Sequence, residues 1–146
     1  ILGWLTFGSV EHGDVGGLVS WIKQPGASAK YYPAGFDLDL DVTGSMYNSL
    51  LNPVTGFSAG RVALTGGNLA ADIVNEVTIA DNRVMNLSSN KLSLKLVTSQ
   101  GLFSGSVVDP ATRKAVKVKG VILQNQGMGT GYFLGTNQSG SVRFAP

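Results

Sequence analysis

Apolar and polar residues alternate with a period of two along most of the chain, and helical spacing is nearly missing. The cleanest stretch is Phe36-Asp37-Leu38-Asp39-Leu40-Asp41-Val42. There Phe36, Leu38, Leu40 and Val42 are expected to face a core, with three aspartates on the other side. Residues 15–22 set Val15, Gly17, Val19 and Trp21 against Gly16, Leu18, Ser20 and Ile22. Residues 1–7 are apolar and rich in β-formers, and 30–42 reads as one extended segment. Further strands are predicted over 61–65, 73–80, 83–87, 91–98, 102–108, 115–124, 131–135 and 141–144. Turn signals separate them: Gln24-Pro25-Gly26, Asn52-Pro53, Gly66-Gly67-Asn68, Asp81-Asn82, Ser88-Ser89-Asn90, Asp109-Pro110 and the glycines from 127 to 131. Only 68–74 is compatible with a helical turn. The pattern predicts an all-β fold, an antiparallel barrel or sandwich.

Segments recur at an offset of about 80 to 85 residues. Gly17-Leu18-Val19-Ser20 lies over Gly101-Leu102-Phe103-Ser104, and Pro25 over Pro110. Ala34-Gly35-Phe36 lies over Lys119-Gly120-Val121, and Gly44 to Tyr47 over Gly129 to Tyr132. Gly60 to Leu64 lies over Gly140 to Phe144. The expectation is one β domain over 1–146, built of two pseudo-symmetric halves, 1–68 and 69–146, that close on one another and hide each other's sheet edges. Strands equivalent to 73–87 would then precede Ile1.

The 146 residues are about one domain, and 43% hydrophobic content excludes a disordered chain. There is no Cys and a single His, which removes disulfides, thiolate chemistry and multi-histidine metal sites. No run of about 18 apolar residues occurs, so no membrane span is expected. The net charge of +2 is small and not gathered along the chain, so no nucleic-acid partner is expected. The chain opens at Ile1 without a signal peptide, which reads as a mature product or a piece of something longer.

Two spots carry candidate chemistry. In Glu11-His12-Gly13-Asp14, an imidazole between carboxylates has the means of a general base, with Ser9 or Ser20 as nucleophile if folding brings one near. Asp37, Asp39 and Asp41 recur at i and i+2, about 6.8 Å apart on one strand face. That separation lies within the range used by glycosidase carboxylate pairs, and the three also form a weak candidate calcium set. No cofactor is implied. Lys117 and Lys119 share a strand face just after Arg113 and Lys114. They suit phosphate or a sulfated glycan, a solubilising role, or pairing with the aspartates across the sheet.

The aromatics carry more weight. Trp21, Tyr31, Tyr32, Tyr47, Tyr132 and Phe133 fall near strand ends and loops rich in Gly and Asn. Flat rings beside Asn, Gln and Asp suit sugars, whose C–H faces stack while hydroxyls meet polar tips. Trp21, Tyr31, Tyr32, Tyr47, Asp37 and Asp39 form the predicted ligand-binding set, with Trp21 and Tyr132 as candidate core plugs. Tyr31 and Tyr32 are expected on opposite strand faces.

At residues 20–23, 30–36, 64–69, 120–124 and above all Gly131-Tyr132-Phe133-Leu134-Gly135-Thr136, the chain resembles the C-terminal β-repeat region of large secreted or surface proteins of environmental bacteria. The resemblance implies an extracellular or cell-surface address beside other modules, and no catalytic residues. The expected function is a non-catalytic β module that binds a carbohydrate or a surface, with a glycan or neighbouring domains of the parent protein as partner. The alternatives are a small hydrolase acting on a polysaccharide or ester through Glu11, His12, Asp14 or Asp39, and a structural spacer.

Overall fold

The structure, a computed structural model, describes residues 1–10 and 13–146. It is built from strands β1 (Leu2–Val10), β2 (Gly13–Lys23), β3 (Phe36–Gly44), β4 (Ala59–Gly66), β5 (Ile73–Ala80), β6 (Arg83–Asn86), β7 (Leu92–Val97), β8 (Leu102–Val108), β9 (Ala115–Leu123), β10 (Met128–Leu134) and β11 (Ser139–Ala145). The helical element among the described residues is one short 3-10 turn, Gln124–Gln126, and 68–74 holds a turn and the start of β5. No helix among the described residues is long and apolar enough to cross a membrane.

Strands β4 to β11 form a closed, antiparallel, up-and-down barrel, with β11 pairing back onto β4. Closure leaves it no sheet edges. Inward positions alternate most clearly in β11, where Gly140, Val142 and Phe144 are buried while Ser139, Ser141 and Arg143 are exposed. Phe103, Phe133 and Phe144 fill the interior with Leu64, Val62 and Val118, each such side chain contributing about 1.5–3 kcal/mol by leaving water. The Phe133 ring lies so close to Gly140 that a Cβ there would fall 2.2 Å from its Cζ. Only glycine accommodates that approach.

Because the barrel strands follow sequence order, their links gather alternately at two rims. Links 81–82, 98–101 and 124–127 share one rim with the incoming segment 45–58, which plugs it. Val54 and Thr55 are buried there, and Phe57 meets Phe144 edge to face with centroids 5.1 Å apart. Links 67–72, 87–91, 109–114 and 135–138 form the other rim. Near it the barrel wall is thin, since β6 and β7 share a single paired position, Arg83 with Lys95. Three asparagines compensate: buried Asn75 donates from Nδ2 to Oδ1 of Asn86 at 3.0 Å and of Asn90 at 2.9 Å.

Strands β1, β2 and β3 form a separate three-stranded sheet, tied to one rim by Asp14 and to the other by the link between β2 and β3. At the plugged rim, Asp14 Oδ2 accepts from the Met46 N–H and from Asn125 Nδ2, both at 2.6 Å. At the other, Tyr32 reaches Ser139.

The barrel takes one strand, β4, from residues 1–68 and seven from 69–146, so closure is not the work of two equal halves. The matched segments also occupy different settings. Gly35 makes a turn at φ 75° where Gly120 is mid-strand, and Tyr47 lies in the plug where Tyr132 is in β10. Only β4 and β11, the two closing strands, match in sequence and stand side by side.

The apolar face expected to meet a core is covered only in part: Phe36, Leu40 and Val42 are half-buried and Leu38 is 47% exposed. The core is completed inside the barrel, and this sheet lies outside it. Its edges differ sharply. β3 carries Asp37, Asp39 and Asp41, charges that discourage further pairing, whereas the outer edge strand β1 exposes Leu2, Trp4, Leu5 and Phe7.

Candidate ligand-binding groove

An open groove of about 700 Å³ runs from the unplugged rim down the outer wall of β9 and β10. Links 67–72, 109–114 and 135–138 shape its upper part, and Lys30 enters from the link between β2 and β3. Its wall follows from strand alternation. Val118 and Phe133 point inward, so Lys117, Lys119 and Tyr132 point out, and Lys119 stands directly opposite Tyr132. The Tyr132 ring is half exposed.

Each bordering loop is held by its own polar side chains. Asn68, at φ 66°, accepts through Oδ1 from the N–H groups of Thr136, Asn137 and Gln138 at 3.1, 3.2 and 3.3 Å. Asp109 accepts from Thr112 Oγ1 at 2.6 Å and the Ala111 N–H at 3.0 Å. These bonds, the hydroxyl above all, favour the ionised carboxylate and hold its pKa below the ordinary range. The turn thus carries Lys114 into the groove.

Tyr31 and Tyr32 position Lys30. The Tyr32 hydroxyl lies 2.7 Å from Ser139 Oγ and accepts from the Ser139 N–H at 2.9 Å, while the Tyr32 N–H donates to the Asn137 carbonyl at 3.2 Å. The Tyr31 hydroxyl donates to the Gly135 carbonyl at 3.4 Å, and the Lys30 ammonium lies 5.2 Å from the Tyr31 ring centroid. Among the described residues none of Lys30, Lys114, Lys117 and Lys119 makes an ion pair. The pair that does form is Arg61 Nε with Glu76 Oε1, at 2.6 Å, across β4 and β5.

The residues expected to bind a ligand do not converge here. Tyr31 and Tyr32 are half-buried clamps in a loop rather than opposite faces of a strand, because β3 begins only at Phe36 and Tyr32 takes φ 50°. Trp21, half exposed, packs edge to face on Phe36 with centroids 5.3 Å apart, and Tyr32 meets the same ring at 5.3 Å. Tyr47 is at the plugged rim, where its hydroxyl donates to the Thr98 carbonyl and its ring covers Gly101. Asp37 and Asp39 are exposed on the outer sheet, with Asp39 accepting from Ser20 Oγ.

The hydrolase candidates divide. Glu11 and His12 lie outside the described residues, as does the Ser9 side chain. Asp14 is engaged by Met46 and Asn125. Asp39 is paired with Ser20, six strand positions along from Asp14, or about 20 Å away. Among the described residues no three His, Asp or Glu side chains gather to share an ion, the Asp37, Asp39 and Asp41 row included. Lys117 and Lys119 do not meet the aspartates. They face Ser106 and Ser104 on β8, and Lys119 also faces Tyr132 on β10.

The sequence offered Lys117, Lys119 and Tyr132 separately, and only the β9–β10 register unites them. The contribution of Lys30 had no local signal. Comparison with protein-family models, curated proteins and solved structures finds no match.

Proposed function

We propose that the chain is a non-catalytic carbohydrate-binding β module of an extracellular or cell-surface protein, and that the groove on β9 and β10 is its binding site. The observation that carries this reading is the Tyr132 ring, half exposed on a rigid strand and flanked by hydrogen-bonding groups in a groove of about 700 Å³. A ring held this way offers a stacking platform for a pyranose face, and placement on a strand fixes its orientation without an ordering cost on binding. The loops above it are tied down by Asn68 and Asp109, so the groove is largely pre-formed.

Retention on a panel of insoluble neutral and acidic polysaccharides tests the reading. At least one should retain the chain, and Tyr132→Ala should weaken retention about tenfold while the fold persists by circular dichroism. No retention on any of them overturns it.

A further inference from the structure

We infer that the glycan this groove takes is polyanionic, a chain bearing carboxylate or sulfate groups. This deepens, and rests on, the carbohydrate-binding reading. Four ammonium groups, Lys30, Lys114, Lys117 and Lys119, line one groove together with a single carboxylate, Asp109. Its lining therefore nets +3, while the whole chain nets +2, so the remaining surface is slightly negative. Positive charge spread thinly along the sequence is collected by folding: Lys30 comes from the link between β2 and β3, Lys114 from a barrel link, and Lys117 and Lys119 from a strand.

Three further observations narrow the ligand. The lysines have no carboxylate partner among the described residues, whereas the molecule does pair Arg61 with Glu76 elsewhere. Lys117 and Lys119 share a face, about 6.8 Å apart along the strand. That spacing meets charges repeated along a polymer, whereas a single small anion would draw the ammonium groups to one point. The lining contains one exposed aromatic ring, Tyr132, and no arginine. A single-stranded nucleic acid would call for a series of stacking rings, one for each base held. One ring beside a row of ammonium groups fits a sugar with charged neighbours.

The test compares dextran, dextran sulfate and alginate, so that neutral, sulfated and carboxylated glycans are separate arms, with poly(dT) as a nucleic-acid arm. Affinities are measured over a salt series. Dextran sulfate or alginate should bind and dextran should not, and log affinity should fall linearly with log salt concentration as counterions are released. Lys117→Gln with Lys119→Gln should weaken binding about tenfold and lower the salt slope by about one per lysine removed. Arg83→Gln, exposed on β6 across the barrel from the groove, should change neither. Stronger binding to the sulfated or to the carboxylated arm identifies the anionic group, and either supports the inference. Equal binding to dextran, lost with Tyr132→Ala and not with the lysine changes, overturns the polyanion inference and leaves the carbohydrate reading standing. Equal losses from Arg83→Gln and the groove lysines overturn it as nonspecific charge attraction, and tighter binding to poly(dT) overturns it in favour of nucleic acid. No binding to any arm overturns both readings.

Discussion

Lys119 and Tyr132 face each other across the β9–β10 ladder, both turned outward, so an ammonium group and an aromatic ring share one patch of rigid wall. Neither supports the core, which lies on the opposite side of both strands. Tyr132→Ala should therefore leave thermal stability within about 0.5 kcal/mol, as surface changes do. It should still cost about tenfold in polysaccharide affinity, the loss of one stacking contact. Calorimetric titration beside a melting curve separates the two effects.

The Tyr32–Ser139 contact governs how the outer sheet meets the rim. Tyr32→Phe removes a hydroxyl that both contacts Ser139 Oγ and accepts from its N–H, so about 1 kcal/mol should be lost. Hydrogen exchange should quicken over 24–35 and 135–139 while the barrel amides stay protected. Affinity for an anionic glycan should also fall, because Lys30 is no longer held over the groove.

Asn75 has both ends of its amide engaged in the interior, with Asn86 and Asn90. Asn75→Leu leaves those two amides short of a partner and removes the tie across the weakly paired β6–β7 seam. A loss of about 2–3 kcal/mol in urea unfolding is expected.

Asp109 links stability to pH. Its folded-state pKa lies below the unfolded value, so its contribution is fully present above the unfolded pKa and is lost as pH falls through the folded one. The chain should lose this increment below about pH 4. Thr112→Val removes the principal hydrogen bond, so the Asp109 carboxyl should titrate at higher pH by NMR and the acid-side loss should shrink.

Much of the fold was legible because alternation reports directly on which face is buried. The 61–65, 73–80, 102–108 and 141–144 segments are barrel strands. The same pattern misled at Phe36–Val42. Alternation shows that one face is apolar but not that anything covers it, and here the core closes without that sheet. Tyr31 and Tyr32 fall in a loop, and Pro33 and Gly35 are the local sign that the chain is still turning. The groove was least legible of all. It depends on register between β9 and β10 and on a clamp joining residues more than 100 positions apart, and neither leaves a trace in local periodicity.

The most direct test of the account is an NMR titration of the chain with a sulfated dextran oligosaccharide. Shift changes should concentrate on Lys30, Lys114, Lys117, Lys119 and Tyr132, with the plugged rim around Tyr47 and the outer sheet around Asp39 unmoved. Changes centred on Trp21 and the Asp37 to Asp41 row, with Lys119 and Tyr132 silent, would contradict it.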